Sequence, residues 1–179
     1  MRKIVSGLFI SLDGVTESAN DWIGSWFSPE LGQAIGSMMA AQDAMLLGRV
    51  TYDEFAAHWP HQTGDMADTM NGSIKYVVSG TLKSADWQNS TLIPRDRAAA
   101  EIAGLKQQPG KNIGMTGSAT LVNWLLRESL LDELHLLVFP VVLGSGKRLF
   151  RDGGEKMPLK LTGSETFETG VVHLTYAKA

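Results

Sequence analysis

Ala44-Met45-Leu46-Leu47-Gly48-Arg49-Val50-Thr51-Tyr52 is the stretch from which the rest of the chain can be read. Its four apolar residues fit a strand buried on both faces, closed by Gly48. Thr51-Tyr52-Asp53-Glu54 then has the spacing of a capping box, with Thr51 as the cap and a short helix from Tyr52 to Trp59. A glycine leaving a buried strand lets a ligand approach the backbone. The free N–H groups and dipole of the next helix favour an anion there. Arg49 adds a fixed positive fork and Thr51 a hydroxyl. The plainer alternative is that Thr51 only caps the helix and Arg49 is a solvated charge. Met115-Thr116-Gly117-Ser118-Ala119-Thr120-Leu121 repeats the pattern of strand, small residues and helix. A diphosphate could sit on the N–H groups of Gly117 to Thr120. Two such junctions at the carboxyl ends of strands in one sheet suit a dinucleotide with separated phosphates.

Outward from these junctions, short apolar runs alternate with segments of helical period. Ile4 to Leu12 reads as a buried opening strand, followed by a polar, aromatic-studded loop to Phe27. Ser28-Pro29-Glu30 starts a helix whose Leu31, Ile35, Met38 and Met39 point at the core. His61 to Gly72 reads as a mobile loop. Further strands are expected at Lys75–Ser79, Ser90–Ile93, Asn112–Met115 and Glu133–Pro140, with helices at Arg95–Lys106 and Ala119–Glu128. Leu159–Phe167 and Val171–Ala177 flank Glu168-Thr169-Gly170 as an antiparallel hairpin. The expected architecture is one α/β domain over residues 1–179, its mainly parallel sheet carrying antiparallel strands at the C-terminal end.

Composition narrows the function classes. With 179 residues, 44% hydrophobic and 20% charged, the chain is an ordinary globular domain and not a disordered one. A net charge of −3 argues against a dedicated nucleic-acid binder. The absence of cysteine excludes disulfides, thiolate metal sites and a cysteine nucleophile. Met1-Arg2-Lys3 before Ile4–Ile10 has the order of a signal peptide, but Ser6, Asp13 and Glu17 interrupt it. No run reaches bilayer length, and the expectation is a soluble cytoplasmic protein.

Several templates fail. Gly144-Ser145-Gly146-Lys147 lacks the preceding glycine of a phosphate loop and has Arg148 where a hydroxyl would hold magnesium. There is no Gly-x-Ser-x-Gly elbow, and no Gly-x-Gly-x-x-Gly follows the first strand. His58 and His61 are separated by Trp59-Pro60, so no metal site is expected from them.

The first junction is similar to the Gly-Arg-x-Thr motif of dihydrofolate reductases, and Val77-Val78-Ser79 resembles the next strand of those enzymes. The reductase domain of the riboflavin-biosynthesis deaminase-reductase is the closer resemblance. It is carried by Ser11-Leu12-Asp13-Gly14, Trp22-Ile23, Gly117-Ser118-Ala119-Thr120-Leu121 and Leu130-Leu131-Asp132-Glu133-Leu134. Pro140-Val141-Val142-Leu143-Gly144-Ser145-Gly146 is the most specific segment. The resemblance implies the three-layer dihydrofolate-reductase-like fold, an eight- to nine-stranded sheet, a homodimer and NADPH as hydride donor. It also implies a heterocyclic acceptor: a pteridine imine, or the phosphoribosylamino-pyrimidine whose ribose is opened to a ribityl chain. Thr116 stands where the family shows a second glycine, and nothing resembling a deaminase domain precedes Met1, so a divergent stand-alone reductase is expected.

The candidate cofactor residues are Gly48, Arg49, Thr51, Ser79, Gly117, Ser118, Ala119, Thr120 and Leu121. Asp13, at the end of the first strand, is either a carboxylate near the nicotinamide or substrate or a turn residue bonding its own backbone. Glu30 is either a substrate-binding acid, as folate reductases keep nearby, or a first-turn glutamate favouring the helix dipole. Trp22 could stack on a flat heterocycle or close over a core. Gly144, Ser145 and Gly146 bring backbone near substrate or form a plain turn. The Leu136–Val142 segment and the hairpin are apolar enough for a dimer face or for core. A rival from another class is a non-catalytic nucleotide-binding oligomeric module on the same fold.

Overall fold

The computed structural model describes residues 1–151 and 153–179. Its strands are β1 (Ile4–Ser11), β2 (Gln42–Gly48), β3 (Ile74–Ser79), β4 (Ser90–Pro94), β5 (Asn112–Thr116), β6 (Glu133–Phe139), β7 (Leu159–Thr166) and β8 (Val172–Lys178). The helices are α1 (Pro29–Ala40), α2 (Arg49–His58), α3 (Asp65–Gly72), α4 (Ala98–Gln107) and α5 (Ala119–Arg127). The strands form one eight-stranded sheet in the order β4-β3-β2-β5-β1-β6-β8-β7. β1 to β6 pair in parallel, and β8 and β7 add antiparallel. This is the α/β, dihydrofolate-reductase-like architecture the resemblance implies.

Side-chain alternation along the parallel strands sorts the core into layers. In β2, Ala44 and Leu46 face the cluster that α4 and α5 cover through Ile102, Leu121 and Leu125. Met45 and Leu47 face the opposite side, with Tyr52 of α2 and Met70 of α3. On that same side, Leu31 of α1 packs with Leu137 and Phe139 of β6. Leu136 to Phe139 therefore supply core and not a free face, whereas Leu12 and Val142 remain 63% and 67% exposed.

The strand order also places a crevice. From β2 the chain moves outward to β3, and from β5 it moves the other way, past β1, to β6. Neighbouring strands whose connections diverge leave an opening outside their carboxyl ends, which is where open α/β sheets bind ligands. The two junctions read from the sequence are those two ends.

Two expectations need correction. α2 begins at Arg49 and not at Tyr52, because Gly48 stays extended at φ −81°, ψ 161° and strand runs directly into helix. Gly48 takes the cap position without a side chain, and Thr51 lies inside the first turn. Residues 65–72 are the helix α3 and not a loop. Gly64 at φ 104° starts it, Asp65 and Asp68 occupy its first turn, and Ala67 and Met70 bury against the core. The spacing of Met66, Ala67 and Met70 was the available signal, masked by the polar residues between them.

Candidate active site

The crevice is an open cleft of about 700 Å³. It is lined by Gly48, Arg49 and Thr51 from one junction, Ser79 from the end of β3, and Gly117 to Leu121 from the other. All the candidate cofactor residues thus meet in one place.

The junctions are interlocked. A Cβ on Gly48 would lie 2.6 Å from Ser118 Oγ, and one on Gly117 would lie 3.1 Å from Thr51 Oγ1. Each glycine sits beneath the hydroxyl-bearing residue of the other junction, so the starts of α2 and α5 are held side by side. α2 has no side-chain cap, which leaves its first N–H groups open to a ligand. At α5, Ser118 holds the left-handed conformation at φ 51° and its Oγ accepts from Leu121 N at 3.4 Å. Arg49, Arg95 and Lys147 face this lining, against Glu17 and Glu54. Arg95 and Lys147 were not singled out in the sequence, because only the fold brings the ends of β4 and the 144–148 turn to this cleft.

Ser79 lines the cleft from the end of β3. Its Oγ accepts from Thr81 N and Leu82 N at 3.1 and 3.0 Å, which shapes the turn beside the cleft. Arg49 Nη1 donates to Asp53 Oδ2 at 3.0 Å, both side chains being about half exposed.

The other candidates lie outside the cleft. Asp13 Oδ1 accepts from Ser11 Oγ at 2.6 Å and Leu143 N at 3.1 Å, and Oδ2 accepts from Gly144 N at 2.9 Å. Arg148 Nη2 is 3.7 Å away. The Ser11 hydroxyl and the Leu143 amide hold its carboxyl down at about 2. Asp13 thus fastens the 143–148 turn to the end of β1, and its carboxyl is held in the ionised form at neutral pH. Glu30 Oε2 accepts from Glu168 N at 3.0 Å, tying α1 to the β7–β8 turn, and lies away from the cleft. Trp22 packs its ring edgewise on Phe139, centroids 5.5 Å apart, and donates Nε1 to Glu17 O, so it closes the core. Gly144, Ser145 and Gly146 are exposed and line neither the cleft nor the groove described next; their neighbour Lys147 does line the cleft. Gly146, at φ 118°, would put a Cβ 2.6 Å from Val15 Cγ1, so that turn lies against the loop after β1.

The Asp13 tether has a pH signature. A lowered folded pKa contributes stability above the unfolded value of 3.8 and loses it as pH falls through about 2. Asp13→Ala is expected to speed hydrogen exchange at Leu143 and Gly144 at pH 6. Equal exchange in both proteins would show that the turn is held by other contacts.

A second, apolar groove opens on the sheet face between α1 and α3 and shares Phe9 and Thr116 with the cleft. Thr116, the family departure, stands at the threshold of the two cavities.

Fold and site together define an α/β protein with a bipartite cleft at a sheet switch point, lined by two helix starts and by the cationic side chains of Arg49, Arg95 and Lys147. The chain belongs to the RibD C-terminal domain family, whose model matches residues 2–173. It is 32% identical over 183 residues to the uncharacterized protein YyaP of Bacillus subtilis (strain 168), covering 98% of this chain and 94% of YyaP. The deaminase/5-amino-6-(5-phosphoribosylamino)uracil reductase of Thermotoga maritima superposes with a TM-score of 0.65 at 12% identity, over 99% of this chain and 57% of that one. Dihydrofolate reductase of Enterococcus faecalis, complexed with NADP(H), superposes with a TM-score of 0.64 at 12% identity, over 98% and 96%. Among the described residues, no helix is long and apolar enough to cross a membrane.

Proposed function

We propose that the protein is an NADPH-dependent reductase that passes a hydride to a small nitrogen heterocycle, either pteridine-like or a ribosylamino-pyrimidine. The observation that carries this reading is the interlocking of two helix starts in one cleft. The close approach of Gly48 to Ser118 and of Gly117 to Thr51 sets two sets of N–H donors side by side. That is the donor set a dinucleotide with separated phosphates needs, and the cationic side chains beside it match its charge. The residues present therefore fit the cofactor.

In this reading, the first turn of α2 and the Gly117–Thr120 segment hold the phosphates, and Arg49 and Arg95 compete for the additional 2′-phosphate. When bound, NADPH supplies the hydride from its reduced nicotinamide ring. Phe9 and Thr116 border both cavities, so molecules lying in the cleft and in the groove meet there. The chain's contribution is to hold donor and acceptor at that meeting point.

Titration with NADPH and NADH, followed by tryptophan quenching and melting temperature, tests the reading. NADPH should bind more tightly, and absence of binding by both cofactors would remove its basis. Arg49→Ala should weaken NADPH about tenfold, the scale of one partly exposed charge-assisted contact, and leave NADH nearly unchanged. Because Asp53 holds the guanidinium, Asp53→Ala should tighten NADPH. Equal weakening of both cofactors by Arg49→Ala would place Arg49 at the shared diphosphate instead. Consumption of NADPH with an acceptor separates the reductase from a binding module that turns nothing over.

A further inference from the structure

β6 and β8 pair antiparallel, with His135 opposite Thr175 and Leu137 opposite His173. His135 and His173 are therefore diagonal neighbours on one face of the sheet, within reach of each other's side chains. His135 Nδ1 lies 2.9 Å from His173 Nε2. The ring centroids are 5.1 Å apart and the planes are inclined at 35°, so the rings meet end to end through these two nitrogens and are not stacked. Both rings are largely withdrawn from water, His135 to 14% exposure.

The charges around the pair come from several strands. On β6, Glu133 Oε2 lies 3.4 Å from His135 Nε2, and its other oxygen accepts from Lys3 Nζ at 2.6 Å. Although burial raises it, hydrogen bonds from Lys3 and His135 hold the Glu133 carboxyl below its ordinary value, so it faces the pair as an anion. On β7, Glu165 is the ladder partner of His173, and Lys160 lies further off, opposite Ala177. α1 joins the buried cluster of Phe167 through Leu31, and its one charged residue, Glu30, is taken up by Glu168 N. Thr175 Oγ1, 3.3 Å from His135 Nδ1, completes the group.

A hydrogen bond between two imidazoles exists only while the N···N line carries one proton. In the neutral pair His135 Nε2 donates to Glu133, and His135 Nδ1 accepts from His173 Nε2. One added proton reverses the direction: His135 then donates from both nitrogens, to Glu133 and to His173. A second sets N–H against N–H, and two positive rings repel. We infer that His135 and His173 form a proton-operated latch between the β7–β8 hairpin and the parallel sheet, closed by one proton on the N···N line and opened by two. The hairpin carries Phe167, in the same buried cluster as Leu31, and Glu168, whose N–H is bound by Glu30. Acid therefore loosens the hairpin first and α1 after it. Burial, and then the positive charge of His135, push His173 below its ordinary value, against the pull of Glu165. Below 6.5 the unfolded chain thus binds more protons at this ring than the folded one. Its contribution to stability is complete above 6.5 and declines as pH falls towards the folded value.

Long-range ¹H–¹⁵N NMR of the four histidines from pH 8 to pH 4.5 tests the latch, with His58 and His61 as comparisons in the same spectra. The pair should titrate in two steps about one pH unit or more apart, the lower step on His173. Amide exchange, corrected for its intrinsic rate, should speed up roughly tenfold in β8 and α1 between pH 7 and pH 5, the equivalent of one such unit. His173→Gln keeps a hydrogen-bonding side chain that does not titrate. It should remove that pH dependence and leave His135 with a single step. One step common to both rings, exchange in the wild-type protein unchanged by pH, or the same pH response in His173→Gln would each overturn the latch. The wild-type titration decides even where the variant fails to fold. All measurements are made without cofactor, so their outcome stands apart from the reductase reading.

Discussion

Gly117→Ala is expected to weaken NADPH binding about a hundredfold or more while leaving the protein folded. Gly117 holds φ +70°, and a Cβ there would lie 3.1 Å from Thr51 Oγ1 and 3.4 Å from its Cγ2. The left-handed backbone alone costs about 1–2 kcal/mol in stability for a non-glycine residue. In a domain of this size that is a fall of roughly 2–8 °C in melting temperature. The functional effect is larger because Thr51 is itself buried in the first turn of α2 and cannot give way freely. The two helix starts must separate, and phosphate contacts on both sides lengthen together. Each charge-assisted contact is worth about 1.5–3 kcal/mol, so losing two corresponds to a hundredfold or more. Ser118→Ala is the control: it removes only the Leu121 cap, about 1 kcal/mol, and keeps the junction closed. An affinity unchanged in Gly117→Ala would mean that the interlock does not form the phosphate site.

What the sequence made legible was local. Gly48 and Gly117 announce themselves because strand, small residues and helix follow one another within a few positions, and the fold brings both to one cleft. The start of α2 was misplaced by three residues because Thr51 and Glu54 have capping-box spacing, which does not reveal that Gly48 leads straight into the helix. α3 was hidden because Asp65, Asp68, Thr69 and Asn71 dilute a helical stripe of only three apolar residues. Asp13 was found at the right strand end, yet the turn it fastens is reached through Leu143 and Gly144, 130 and 131 residues away. Arg95 has no local motif and Lys147 belongs to one that fails: what brings both to the cleft is the parallel sheet. For the same reason the contacts of Glu30 with the β7–β8 turn and of Trp22 with Phe139 could not be read from their neighbours in sequence.

Lys75→Ala is expected to destabilise the protein by about 3–4 kcal/mol, a large part of the roughly 5–15 kcal/mol that holds a domain folded. Lys75 lies in β3 and is fully buried. Its Nζ donates to Asn71 O at 3.1 Å, Ser73 O at 2.8 Å and Gln88 O at 3.1 Å, and sits 4.1 Å from the centroid of Trp87. One ammonium thus ties the end of α3 to the turn before β4. Truncation empties the volume of its four-carbon stem, which for buried side chains costs about 2–5 kcal/mol. It also leaves buried carbonyls unpaired at about 1–3 kcal/mol each, offset by relief from burying a charge. Lys75→Met keeps the stem and should cost only about 1–2 kcal/mol. The pair also gives a pH test. Burial pushes the ammonium down from 10.5 to about 8. Between those values the unfolded chain binds more protons than the folded one, so stability from this group rises with pH; below 8 its charge penalty is constant. Urea unfolding at pH 7.5 to 10.5 should therefore show the wild-type protein gaining on Lys75→Met as pH rises. A constant difference would mean that the three carbonyls and the indole fully offset the burial, and that the proton stays on Lys75 in both states.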